Sequence, residues 1–329
     1  MKELELNKIY QGDSLEVLKT FPDESIDMCV TSPPYWGLRD YDEEGQIGQE
    51  KTPQEFVNNL CDIFDEVKRV LKPTGTCWVN LGDTYNAGRS GGHAGGQNGI
   101  SRPKVAQSQS GVNAKDIPTK SLCMVPSRFG IEMIDRGWIL RNEIVWHKPA
   151  CMPASVKDRY TVDFEKIYFF AKNQKYHFKQ QLEPLVTPYE MLKKDNRGKG
   201  WEGKGAGGSK MVNSVANHGG NKSMGETMNP DGRNKRTVWS ISPKGFKDAH
   251  FAVYPSKLIE SPIDAGCPDD GVVLDPFMGS GTTAEVAMKQ GKNWVGIDLN
   301  PEYIKIADKR LEPTIIEKKT KDKASEFWG

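Results

Sequence analysis

The stretch from Val272 to Asp298 constrains the fold more than any other part of this chain. Val272-Val273-Leu274-Asp275 is a short apolar run bounded by turn residues, the pattern of a buried strand. Pro276 ends it, and Gly279 and Gly281 follow within a few residues. Thr282 opens an apolar-periodic helix (Ala284, Val286, Ala287, Met288) that Gly291 closes. Trp294-Val295-Gly296-Ile297 is the next strand, and it ends in Asp298, 19 residues after Gly279. Strand, glycine turn, helix and strand at this spacing make a βαβ unit. Its glycines let a ligand approach the backbone, and its helix N-terminus offers unpaired N–H groups. A carboxylate at the end of the second strand is placed to accept from both hydroxyls of a ribose. The unit is no G-x-G-x-x-G fingerprint, because Ala284 stands where a third glycine would follow. Nor is it a P-loop, because no Gly-Lys-Ser/Thr follows. It reads as nucleoside-binding, with a generic Rossmann site as the plainer alternative.

A second stretch turns at a strand end in the same way. Ser25-Ile26-Asp27-Met28-Cys29-Val30 closes in an apolar run and leads into Thr31-Ser32-Pro33-Pro34-Tyr35-Trp36. A strand cannot run through two prolines, which lack the N–H and fix φ, so the chain leaves the sheet at Ser32. In open α/β sheets ligands sit at that carboxyl edge. The turn offers a hydroxyl, backbone carbonyls and two aromatic faces. That set suits a flat heterocycle with an exocyclic amino group, which donates to the hydroxyl and a carbonyl while its ring stacks on Tyr35. Alone, the stretch is equally a Pro-Pro turn with packed aromatics.

The 329 residues, 36% of them hydrophobic, suffice for one large domain or two modest ones. No apolar run approaches the roughly 20 residues of a membrane span, and Met1-Lys2-Glu3-Leu4-Glu5 is no signal peptide. The six cysteines include no C-x-x-C pair and read as buried reduced thiols of a cytosolic protein. The five histidines show no metal-ligand spacing, so no metal is expected. With a net charge of +1, any nucleic-acid surface must come from local clustering.

Between these stretches the chain alternates strands and helices. Lys8-Ile9-Tyr10 reads as a strand, and Asp13 as the N-cap of a short helix over Ser14 to Thr20. Thr52-Pro53-Gln54-Glu55 has the order of a capping box with proline at the first helical position. Apolar residues at 56, 57, 60, 63, 64, 67, 70 and 71 continue that helix until Lys72-Pro73 stops it. Gly75 to Leu81, Trp138 to His147 and Phe164 to Ala171 read as strands, and Ser121 to Arg136 as a helix ended by Gly137. From about 86 to 118 glycine, serine, glutamine and asparagine dominate, which predicts a mobile loop, either a linker or a lid that orders on nucleic acid. Lys193, Lys194, Arg197, Lys199, Lys210, Arg233, Lys235 and Arg236 belong to a glycine- and asparagine-rich segment from Lys193 to Arg236, where ten cations face four acids. It reads as a loosely built phosphate-contacting insertion or as a solvated surface loop.

Asp-Pro-Phe-Met-Gly-Ser-Gly-Thr-Thr at 275–283 together with Thr-Ser-Pro-Pro-Tyr at 31–35 resembles the amino-group DNA methyltransferases, over residues 8–171 and 237–312. The catalytic tetrapeptide precedes the cofactor motif with a basic segment between them, the order of the family's β group. The resemblance implies a doubly wound α/β fold with a mostly parallel sheet and a small inserted target recognition region. The expected boundaries are a catalytic half over 1–178, the recognition region over 179–236, a cofactor half over 237–316 and a charged tail over 317–329. S-adenosyl-L-methionine is the implied cofactor, and double-stranded DNA the implied partner. A homodimer and a cognate restriction endonuclease are compatible, a membrane is not, and the location implied is the cytoplasm. Residue by residue, Ser32, Pro33, Pro34 and Tyr35 fall to the target base. Asp275, Phe277, Gly279, Ser280, Gly281 and Thr282 line the cofactor, Asp298 binds its ribose, and Asp13 approaches its adenine. Tyr254-Pro255-Ser256 closes over the methionine moiety, with Pro255 and Ser256 as its contacts. Serine at the head of the tetrapeptide is more typical of N4-cytosine enzymes and aspartate of N6-adenine enzymes, so cytosine is expected and adenine is the alternative. A nicotinamide oxidoreductase or a non-catalytic nucleic-acid binding module would leave Ser-Pro-Pro-Tyr without a role. RNA and protein methyltransferase relatives usually carry asparagine at the position of Ser32.

Overall fold

The computed structural model describes residues 4–37, 39–40, 45–86, 107–108, 112, 114–151, 153–185, 229, 231–243 and 254–328, and of 39–40, 107–108 and 317–328 the backbone only. Its elements are, in chain order, β1 (Lys8–Gln11), α1 (Ser14–Lys19), β2 (Ile26–Thr31), β3 (Arg39–Asp40), α2 (Pro53–Val70), β4 (Leu71–Leu81), β5 (Gln107–Ser108), α3 (Val125–Asp135), β6 (Ile139–His147), β7 (Phe164–Ala171), β8 (Leu182–Glu183), β9 (Arg233–Asn234), β10 (Val238–Ser240), α4 (Ser256–Gly266), β11 (Val272–Asp275), α5 (Thr282–Lys289), β12 (Asn293–Asp298) and α6 (Pro301–Trp328).

Eight strands form one sheet in the order β1-β12-β11-β2-β4-β7-β6-β10. Neighbours pair in parallel except around β7, which is antiparallel to both β4 and β6. β7 therefore begins at the edge where the other strands end. β2 is buried along its whole length because both faces are covered. Cys29 packs with Leu18, Phe56, Phe64 and Phe129 of α1, α2 and α3. Met28 and Val30 point the other way, to Leu258, Ile263, Ala284 and Leu311 of α4, α5 and α6. Helices on both faces of a mostly parallel sheet make this the doubly wound α/β fold that the sequence predicts.

Local rules set the element ends. Thr52 accepts from the Glu55 N–H while Glu55 reaches back to the Thr52 N–H, which closes the capping box of α2. α2 stops at Val70, before Lys72-Pro73, because Leu71 is already extended (φ −67°, ψ 136°) and pairs with Ile26. β4 thus starts at Leu71 rather than Gly75. α3 starts at Val125 rather than Ser121, because Met124 adopts a left-handed conformation (φ 58°) and Leu122 bridges to Tyr85. Gly137, with φ +80°, follows its end. Most of the loop expected over about 86–118 lies outside the described residues. Its two ends are packed. The Asn86 amide donates to the carbonyls of Ala114 (2.9 Å) and Ile117 (2.5 Å), and Ala114 and Ile117 are buried.

The chain divides into two compact units, Gln180–Arg236 and the remainder. In the smaller unit β8 pairs antiparallel with β9, and Glu183 accepts from Arg233 at 2.8 Å and Arg236 at 2.6 Å. Lys193, Lys194, Arg197, Lys199 and Lys210 lie outside the described residues. Among the described residues no helix is long and apolar enough to cross a membrane. No group of three or more His, Cys, Asp or Glu there could hold a metal ion.

Candidate active site

The carboxyl ends of β1, β12, β11, β2 and β4 share one edge of the sheet with the first residues of β7. Asp13 sits there as the N-cap of α1, accepting from the Glu16 N–H at 3.0 Å, and the preceding Gly12 N–H donates to the Asp298 carbonyl at 3.0 Å. The Ser14 hydroxyl donates to the Pro276 carbonyl at 2.6 Å, so the turn after β1 is tied to the turn after β11.

The glycine turn after β11 is held by both backbone and side-chain bonds. The Met278 N–H donates to the Ile297 carbonyl (2.9 Å) and the Gly281 N–H to the Met278 carbonyl (3.0 Å). Gly279 (φ +53°) and Gly281 (φ +80°) take left-handed conformations, and no atom outside the turn crowds the side of Gly279 where a Cβ would stand. The Asp298 carboxylate accepts from the N–H groups of Gly279 (2.7 Å) and Asn300 (2.9 Å). Burial nevertheless pushes its carboxyl up to about 6, against the pull of those two N–H groups.

Ser280 and Thr282 are turned inward. Arg310 of α6 donates to the Ser280 hydroxyl at 3.1 Å and to the Thr282 hydroxyl at 2.7 Å, while its guanidinium pairs with Glu285. Phe277 and Gly279 are the partly exposed residues of the turn. Asp275 is fully buried, and four donors converge on it: Thr31 (2.6 Å) and the Phe277 N–H (3.0 Å) on one oxygen, Thr283 and Tyr254 (3.2 Å) on the other. Burial still raises its carboxyl above the usual carboxylate range. The Tyr254 hydroxyl also lies against the Thr283 hydroxyl, at the start of the segment whose Pro255 caps α4 and whose Ser256 is half-buried. Asp275 thus joins the serine-proline strand, the glycine turn and the Tyr254 segment, and its side chain has no capacity left for a ligand.

On the other side of the edge, Ser32, Pro34 and Tyr35 are partly exposed and Pro33 is buried. The Tyr35 ring lies against Gly82, where a Cβ would stand 2.5 Å from the ring. Its hydroxyl donates toward Glu165 (2.7 Å) and lies 3.2 Å from the Asn80 side-chain oxygen. Asn80 in turn donates to Glu165 (3.2 Å) and to the Lys166 carbonyl (3.2 Å). The Lys148 ammonium pairs with the other Glu165 oxygen. Asn80, Lys148, Glu165 and Arg310 have no motif in the sequence. Glu165 joins the site only because β7 runs against its neighbours, an orientation that its strand pattern does not carry.

Residues 26–309 fit the sequence model of the DNA methylase family of N6 and N4 methyltransferases. The chain is a member of that family. This methylase is 38% identical over 311 residues to the Type II methyltransferase M.Cfr9I of Citrobacter freundii, covering 94% of this chain and 89% of the relative. It is 36% identical over 304 residues to the Type II methyltransferase M.SmaI of Serratia marcescens, covering 92% and 90%. Its fold matches the PvuII DNA methyltransferase, described as cytosine-N4-specific, with a TM-score of 0.58 at 22% identity over 92% of this chain and 84% of that one. A putative DNA modification methylase from Thermus thermophilus, complexed with S-adenosyl-L-methionine, gives 0.55 at 22% identity over 93% and 95%.

Proposed function

We propose that this DNA methylase transfers a methyl group to the N4 amino group of a cytosine flipped out of duplex DNA. The observation that carries the reading is Ser32, a neutral acceptor at the head of Ser-Pro-Pro-Tyr, on the same sheet edge as the glycine turn. S-adenosyl-L-methionine fits that edge. The space beside Gly279 admits a ligand against the backbone, and the partly buried Asp298 carboxylate has N–H partners but suits two further hydroxyl donors. When bound, it would supply a methyl on a sulfonium, whose leaving group is a neutral thioether that keeps the electron pair of the S–C bond.

The residues of this chain position the amine. An exocyclic amino group spreads its lone pair into the ring and is a poor nucleophile. Ser32 Oγ and a carbonyl of Pro33 or Pro34 accept its two N–H groups, which draws nitrogen towards sp3 and aims the lone pair. Ser32 is too weak a base to take a proton first. The proton leaves after transfer, to solvent, from a strongly acidic methylated ammonium. Tyr35 stacks on the flipped base. Asp298 holds the ribose, Asp13 the adenine amino group, and Phe277 with the backbone of 279–282 lines the cofactor. Pro255 and Ser256 cover the methionine end. The unit Gln180–Arg236 reads the recognition site, and its cations, Arg233, Lys235 and Arg236 included, contact phosphates.

Two measurements test this reading. Purified protein, mixed-sequence duplex DNA and methyl-labelled cofactor, followed by digestion to nucleosides, are expected to place label in N4-methylcytosine. Label in N6-methyladenine overturns the base assignment, and label in no DNA overturns the reading. The second concerns pH. Ribose hydroxyls donate to the ionised Asp298, so binding favours the deprotonated form and weakens as pH falls through the free protein's value of about 6. Calorimetry with S-adenosylhomocysteine is expected to show the dissociation constant rising by about tenfold per unit at most below that pH. The Asp298→Asn protein is expected to bind weakly with a flat profile. A wild-type affinity unchanged from pH 8 to 5 removes Asp298 from the ribose.

A further inference from the structure

Ser32 can help the amine only as an acceptor. If its O–H pointed at the amino nitrogen, it would occupy the lone pair that must attack. A serine hydroxyl rotates freely, so something must hold its proton elsewhere. The structure shows what does so, starting from Glu165, a largely buried carboxylate that can only accept. One of its oxygens takes Lys148, and the other takes the Tyr35 hydroxyl at 2.7 Å and the Asn80 amide N–H at 3.2 Å. The second Asn80 N–H goes to the Lys166 carbonyl at 3.2 Å. These acceptors determine which way the Asn80 amide faces. Flipped, its oxygen would confront a carboxylate and a carbonyl, with no hydrogen between them. The Asn80 oxygen is therefore turned to Ser32 Oγ, 3.5 Å away, the long end of hydrogen-bond range that free active sites often show. An amide oxygen has no proton, so in this pair Ser32 is the donor. Its lone pairs are left for the cleft. Asn80 is buried and Lys148 and Glu165 largely so, which strengthens each link and excludes competing water.

We propose that Glu165, clamped by Lys148, is a positioning residue of the methyl transfer: through the Asn80 amide it holds the Ser32 proton away from the target amine. The proposal rests on the reading of Ser32 as the acceptor of that amine. Charge on Glu165 is not itself required; an acceptor facing Asn80 is. In Glu165→Gln, Lys148 claims the new amide oxygen and the amide nitrogen is left facing the Asn80 N–H, so the chain loses its direction. Replacing Lys148 as well frees the glutamine to turn its oxygen to Asn80.

The test is the single-turnover rate of methyl transfer to duplex DNA at saturating cofactor and DNA, in the Tyr35→Phe protein, which removes the other tie of Glu165. Glu165→Gln is expected to lower the rate roughly 30-fold, the scale of one misdirected transition-state hydrogen bond, with S-adenosylhomocysteine affinity unchanged. Adding Lys148→Met is expected to restore the rate to within about threefold. A merely structural ion pair would move the thermal midpoint but not the saturated rate of the folded protein. A rate unaffected by Glu165→Gln, or a loss that Lys148→Met does not recover, overturns the proposal. If Glu165→Gln loses cofactor binding, Asn80→Leu replaces it. That variant is expected to lose the same roughly 30-fold, and an unchanged rate overturns the proposal equally. Wild-type protein that labels no DNA overturns the function itself; label in the wild type with either negative result overturns only the role of Glu165.

Discussion

Tyr35→Ala is expected to lower turnover by about 10²-fold while leaving affinity for S-adenosylhomocysteine within about twofold. Stacking of one base on one aromatic ring is worth about 1–3 kcal/mol, and the ring is also the wall that the Gly82 backbone was left bare to receive. The Tyr35 hydroxyl donates to Glu165, beside the Asn80 side-chain oxygen, and its ring lies on Gly82, all on the base side of the edge. The glycine turn is held by other residues, so its ligand should not feel the change. Tyr35→Phe keeps the ring and is expected to cost less than about tenfold, the share of one hydroxyl hydrogen bond. Single-turnover methylation beside calorimetric titration separates the effects. Equal losses in rate and in affinity would remove Tyr35 from the base.

Asp275→Ala is expected to have the largest effect on stability. It strips the common acceptor from Thr31, Thr283, Tyr254 and the Phe277 N–H. Donors stranded in a buried site keep their full desolvation cost, so a loss of about 3–5 kcal/mol is expected. Urea unfolding followed by fluorescence measures it. Cofactor affinity should fall with it, because the glycine turn and the Tyr254 segment are both tied to this carboxylate. Asp275→Asn is expected to recover part of the loss, since its amide oxygen still accepts from Thr31 and Phe277. A change below about 1 kcal/mol for Asp275→Ala would mean that the four donors find other partners.

Asp275 also shows how far a motif can be read. Its place in Asp-Pro-Phe-Met-Gly-Ser-Gly marks it for the cofactor, and likewise Ser280 and Thr282. The fold gives all three side chains partners within the protein: Asp275 its four donors, the two hydroxyls Arg310. A motif records which side chains a turn needs, not whether each faces the ligand or the scaffold. The left-handed turn at Gly279 and the strand-end place of Asp298 were legible because backbone conformation and strand-end position follow from neighbouring residues. The end of α2 was misplaced by a single residue for a comparable reason. Leu71 extends the helical apolar pattern, and only its pairing with Ile26 makes it a strand.

The sequence by itself determined the two strand-end turns, the capping box, the alternation of strands and helices, and through them the sheet edge at which chemistry gathers. Each depends on residues a few positions apart, where steric limits and hydrogen-bond periodicity act directly. Only the tertiary structure decided that β7 runs antiparallel between β4 and β6, bringing Glu165 to Tyr35 and to Lys148. Glu165 lies 130 positions from Tyr35, and Arg310 lies 28 from Thr282. Contacts across such spans are set by how strands order themselves to bury both faces of the sheet, a collective outcome that no local pattern contains.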